Sequence, residues 1–132
     1  MNLNKVILAG NLTRSPELRY TPGGIAVARF DMATSHARVG EHGERKEETE
    51  LHHILVFGRL AETTTEYLSR GSLALVEGRL RTRSWEQDGI KRYRTEVIAE
   101  RIQFGPKRQE ETHADGPADD TVQIDGTDDA PF

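Results

Sequence analysis

Residues 49–71 read TELHHILVFGRLAETTTEYLSRG, and the spacing of apolar residues changes in the middle of that stretch. From Thr49 to Phe57 an extended chain places Leu51, His53, Leu55 and Phe57 on one face and His52, Ile54 and Val56 on the other. After Gly58, Leu60, Ala61, Thr64 and Leu68 recur at helical spacing, and Gly71 follows where a C-terminal cap is expected. A strand therefore runs into one short helix. Both faces of the strand are partly apolar, as in a barrel wall covered on its outer side, although a buried sandwich strand has the same pattern.

Outward from this junction the chain reads as strands. Lys5 to Leu12 forms a first strand, and Pro16 with Thr21-Pro22-Gly23-Gly24 marks turns before a second from Ile25 to about Ser35. There Ala28, Phe30 and Met32 share one face while Arg29 and Asp31 take the other. His36 to Glu48 is polar, contains two glycines and reads as a long hairpin loop. Ser72 to Trp85 is a fourth strand with Gly78 as a bulge or bend, Gln87-Asp88-Gly89 is a hairpin turn, and Lys91 to Phe104 is a fifth strand. The order β-β-β-α-β-β is that of the all-β OB fold, a five-stranded Greek-key barrel with one short helix between strands 3 and 4. A fold hosts many functions, so side chains must decide between them.

The 132 residues suffice for one core and a tail, divided here as a folded domain at 1–106 and an acidic tail at 107–132. The net charge of -4 is unevenly spread. All 18 Lys and Arg lie at or before Arg108 with 14 acids, and the other 8 acids follow without a base, so residues 1–108 carry +4 and residues 109–132 carry -8. The tail's Asp, Gly, Pro and Thr composition reads as disordered, because it cannot offset the entropy of ordering the backbone. Absent cysteine excludes disulfides, zinc–cysteine sites and thiolate nucleophiles. Apolar runs of four or five residues are too short for a membrane span or signal peptide, which reads as a soluble, cytoplasmic chain without a membrane partner.

Period-two alternation in the fourth strand puts Arg79, Arg81, Arg83 and Trp85 on one side. Cations that neutralise phosphates, beside an aromatic face on which any base stacks, fit a polyanion with flat bases. A solvated edge whose arginines pair with glutamates would look alike, and Phe57 gains meaning only in combination with Trp85. The chain contains no phosphate-cradling glycine loop, HExxH or G-x-S-x-G. Its histidines are His36, His42, His52, His53 and His113, and the adjacent His52 and His53 point to opposite strand faces, so a metal site is not expected. Neither a cofactor nor a catalytic constellation is read. The sequence ends Asp128-Asp129-Ala130-Pro131-Phe132, acids followed by an apolar ring, which fits a short linear motif that docks on a basic pocket of a protein partner.

With these residues in hand, the chain resembles the bacterial single-stranded DNA-binding protein family. The resemblance lies in residues 4–12, 16–20, 33–35, 57–62, 67–72 and 77–85, and in the final Asp-Asp-Ala-Pro-Phe. It implies an OB-fold subunit that forms a homotetramer, binds single-stranded DNA during replication, repair and recombination, and recruits other proteins through its acidic tip. By the same resemblance Phe57 and Trp85 stack bases, Lys5, Arg59, Arg70, Arg81 and Arg83 are basic DNA-facing positions, and His52 is a subunit contact. Arg38 and Leu51 stand where well-known members place stacking tryptophans, so phosphate neutralisation should carry more of the binding here. Ala130 replaces a common bulky aliphatic, and the linker from Gly105 is short. Two other readings remain: an OB-fold accessory protein of primosome assembly, and a small metal-dependent nuclease using His and Glu near the third strand.

Overall fold

The computed structural model describes residues 1–107; the acidic tail, with Asp128 to Phe132, lies outside them. Six strands and one helix follow in the order β1 (Val6–Leu12), β2 (Glu17–Tyr20), β3 (Ala26–Val39), β4 (Arg45–Phe57), α1 (Arg59–Tyr67), β5 (Ser72–Gln87) and β6 (Ile90–Lys107). Neighbouring strands run β1-β5-β6-β4-β3-β2, and a further β1–β3 pairing closes β1, β3, β4, β5 and β6 into a barrel. Among the described strands, only β4 and β6 pair in parallel, with Ile54 opposite Val97 and Leu55 opposite Ile98. This is the five-stranded OB barrel with its helix between the third and fourth barrel strands.

The inward residues follow from the pleat. Ala26, Ala28, Phe30 and Met32 of β3 meet Ile54 and Val56 of β4, Val97, Ala99 and Ile102 of β6, and Ala74 and Val76 of β5. Burying each large aliphatic or aromatic chain contributes about 1.5–3 kcal/mol. Helix α1 follows Gly58, whose carbonyl accepts the Ala61 N–H at 2.9 Å, and it buries Ala61 and Thr64, with Leu68 joining the same core. Among the described residues, no helix is long and apolar enough to cross a membrane.

Several boundaries differ from expectation. Glu17–Tyr20 is a strand rather than part of a turn, paired with β3 and tied to α1 by the Tyr20 hydroxyl donating to Glu62 Oε2 at 3.0 Å. The nearby carboxylate holds that phenol's pKa above its ordinary value. His36–Glu48 is not a loop throughout: β3 and β4 remain paired to Val39 and Arg45 and form an exposed ribbon around a short turn. Gly71 is not the helix cap. The chain leaves α1 through an extended Leu68, and Gly71 bonds back to Leu12 three residues later.

Two turn elements matter for the site. Asp88 and Gly89 both have positive φ, the backbone of a two-residue hairpin turn that matches strand twist. They fix the β5–β6 register as Trp85 opposite Arg92, Arg83 opposite Arg94 and Arg81 opposite Glu96. Pairing jumps from Glu77–Arg101 to Gly78–Ala99, leaving Glu100 as a bulge. An added Cβ at Gly78 would collide with the Ile98 carbonyl, so this crossing requires glycine.

Candidate functional site

Because Ile54 and Val56 point into the barrel, Leu51, His53, Leu55 and Phe57 must point out. The parallel register then sets Ile98 beside Leu55, and the β5–β6 register carries Arg79, Arg81, Arg83 and Trp85 onto the same outer surface. Leu51 is 52% exposed and Phe57 40%. Trp85 is half-buried, and Arg83 stacks its guanidinium 4.9 Å from the indole centroid, covering one ring face. Between Phe57 and Trp85 lie about eight residue steps along the strand direction, roughly 25 Å. The two aromatic platforms stand at opposite ends of one surface.

Charge fills the space between them. Glu96, 1% exposed, lies beneath three arginines: Arg83 Nε at 3.1 Å and Arg81 Nη2 at 3.6 Å from its Oε1, and Arg94 Nε at 3.8 Å from its Oε2. One carboxylate against three guanidiniums leaves two positive charges in excess. Each guanidinium has five N–H donors and the carboxylate only two oxygens, so donors are left for an incoming anion. A buried anion under exposed cations also limits the conformations those long side chains sample, lowering the entropy cost of ordering them on a ligand. Next to this hub, His53 Nδ1 lies 2.8 Å from Asp31 Oδ1 and 2.9 Å from Arg94 Nη2.

The other expected positions are more dispersed. Arg79 sits on the same face but pairs with Glu100 at 3.5 Å, and Lys5 pairs with Glu77 at 3.4 Å. Arg59 opens α1, two residues beyond Phe57, while Arg70 lies in the turn before β5 and donates its backbone N–H to Ser15 Oγ at 3.1 Å. The ribbon register places Arg38 with His36 and Thr34 on the face opposite Leu51, where its Nε meets Glu48 at 3.0 Å. Arg38 and Leu51 are therefore not neighbours. His52 points inward at the barrel end, its Nε2 2.8 Å from the Thr34 hydroxyl. Among the described residues no group of three or more His, Asp or Glu side chains converges as a metal site would.

Nothing in the sequence singles out Arg94, Glu96 or Asp31 as functional, and His53 stands out there only as a candidate metal ligand. The signal for Glu96 and Arg94 was present in the turn. Counting outward from Asp88-Gly89 pairs positions 81 with 96 and 83 with 94.

Comparison with known proteins gives a consistent result. The model of the single-strand binding protein family matches residues 3–105. The wild-type single-stranded DNA binding protein of Thermus aquaticus is 42% identical and superposes with a TM-score of 0.68, covering 77% of this chain and 50% of its own. A deletion variant of that protein matches with a TM-score of 0.70 at the same identity and coverage. The SSB of Plasmodium falciparum, in complex with ssDNA, is 29% identical with a TM-score of 0.74, covering 79% of this chain and 96% of its own. This chain thus spans half the length of the Thermus aquaticus proteins it matches.

Proposed function

The chain belongs to the single-strand binding protein family, and on that premise we propose that it binds single-stranded DNA without sequence preference, laying the strand across the barrel's outer face. The observation that carries this reading is the placement of Phe57 and Trp85 at the ends of one surface, with Arg81, Arg83 and Arg94 gathered between them on Glu96. The arginines take phosphates, a term that is blind to sequence, and the aromatic rings take whichever base arrives. The Plasmodium falciparum relative in complex with ssDNA supports the same choice of ligand.

The finer reading follows the family. Domain 1–106 binds DNA and protects it in replication, repair and recombination, with no catalysis and no cofactor, as a homotetramer in which His52 contributes to subunit contact. Lys5, Arg59, Arg70 and Arg79 extend the basic path and Leu51 offers apolar contact on that face, while Arg38 meets the strand where it wraps onto the opposite face of the ribbon. The tail at 107–132 recruits replication and repair proteins through Asp128, Asp129, Ala130, Pro131 and Phe132, in the cytoplasm where the DNA is. Deleting residues 128–132 should abolish partner capture, and deleting the acidic tail should tighten DNA binding at low salt by removing a competitor for the basic face.

Titration with single- and double-stranded oligonucleotides of equal length tests the main reading, with light scattering reporting assembly mass. Strong preference for the single strand supports it. Equal affinity for both forms would remove it.

A further inference from the structure

We propose that His53 is a positioning residue: the proton on its Nδ1 decides whether Arg94 is held on the protein or released to a phosphate. This rests on the reading that the outer face binds single-stranded DNA. Nδ1 stands between Asp31 Oδ1 at 2.8 Å and Arg94 Nη2 at 2.9 Å. A ring nitrogen either carries a proton and donates or carries a lone pair and accepts. An ionised carboxylate only accepts and a guanidinium only donates, so the two contacts exclude each other.

With Nδ1 protonated, Asp31 receives a charge-assisted hydrogen bond and the N–H of Arg94 faces another N–H. With the lone pair exposed, Arg94 donates to Nδ1 and Asp31 loses its partner. The surroundings sharpen the choice. From β3, Asp31 faces the ring and Arg29 follows on the same outer side; from β4, the flanking outward residues Leu51 and Leu55 are uncharged. From β6 come Arg94 and Glu96, and from β5 Arg81 and Arg83 reach the same Glu96. Of the three arginines Arg94 is the furthest from that carboxylate, at 3.8 Å, so losing His53 leaves it the most available.

Imidazole changes charge between about pH 5 and 8. The neutral ring accepts from Arg94 only in its Nε2–H tautomer, whereas an imidazolium always carries Nδ1–H and donates to Asp31, so acidification removes the arrangement that holds Arg94 and affinity for single strands rises. Binding correspondingly takes up a proton. One added phosphate contact on a single strand steepens the salt slope by about 0.7, which at about 0.2 M salt is roughly threefold in affinity.

The test measures oligothymidine affinity at about 0.2 M salt, near pH 8 and near pH 5.5, for the wild type, His53→Gln, Arg94→Gln and the double variant. The wild type should gain about threefold more on acidification than His53→Gln, and this excess should vanish when Arg94 is already Gln. An identical pH response in the wild type and His53→Gln overturns the proposal. A His53-dependent gain that survives in the Arg94→Gln background also overturns it, since the ring would then act by its charge alone. Calorimetry of the wild type and Arg94→Gln in two buffers of different ionisation enthalpy should show proton uptake that falls in the variant; equal uptake counts against the proposal. A wild-type protein that binds oligothymidine at neither pH would instead bring down the DNA-binding reading, a result readily told apart from the others.

Discussion

Replacing Glu96 with Gln should destabilise the fold in a way that salt repairs. The substitution conserves volume and one acceptor oxygen but removes the anion that Arg81, Arg83 and Arg94 share, at 3.6, 3.1 and 3.8 Å. Removing one partner of a buried ion pair costs about 3–5 kcal/mol when the other stays buried. Here the three arginine side chains are 41, 38 and 32% exposed and rehydrate, while their mutual repulsion is no longer offset. A loss of about 2 kcal/mol is expected, lowering Tm by about 8–16 °C in a domain of this size. Near 1 M salt the Debye length falls to about 3 Å and most of the repulsion disappears. Thermal and urea unfolding at low and high salt would measure both effects, with Glu100→Gln as the control. Glu100 is 54% exposed where its side chain meets Arg79, and its loss should cost under about 0.5 kcal/mol. Wild-type stability of Glu96→Gln at low salt, or a deficit independent of salt, would show that Glu96 does not offset the repulsion among these arginines.

The remaining predictions concern stacking and packing. Trp85→Ala and Phe57→Ala should each weaken oligothymidine binding by about 1–3 kcal/mol. Their separation along the face is beyond coupling range, so the double variant should lose close to the sum, as equilibrium titration would show. Gly78→Ala forces a methyl group against the Ile98 carbonyl at the bulge, and should lower Tm by about 10 °C or more in a thermal melt. Thr64 Oγ1 is buried without a hydrogen-bond partner among the described residues, so Thr64→Val should raise stability by about 1 kcal/mol in urea unfolding.

The barrel was legible because its strands alternate and its helix interrupts them at Gly58, where the period visibly changes. Glu17–Tyr20 escaped because four residues following a proline, with only Leu18 half-buried, carry no measurable period. The outer ends of β3 and β4 escaped for the opposite reason: a ribbon wet on both sides has no apolar face to mark it. The arginine stripe on β5 could be read from one strand alone, whereas Glu96 and Arg94 required pairing that strand with the next across Asp88-Gly89. The Asp31–His53–Arg94 contact lies further from view. It joins three strands, one through a hairpin whose glycines mark a turn without fixing the register of the strands beside it, and another through a parallel pairing that no local pattern encodes.

Photo-crosslinking to oligothymidine carrying bromouracil, followed by peptide mapping, reads which rings the bases touch. Adducts are expected at Trp85, the only tryptophan, and at Phe57, both suppressed by competing unlabelled single strand and by high salt. Adducts confined to Tyr20 and Tyr67, exposed aromatics on β2 and at the end of α1, would contradict the placement of the strand across this face.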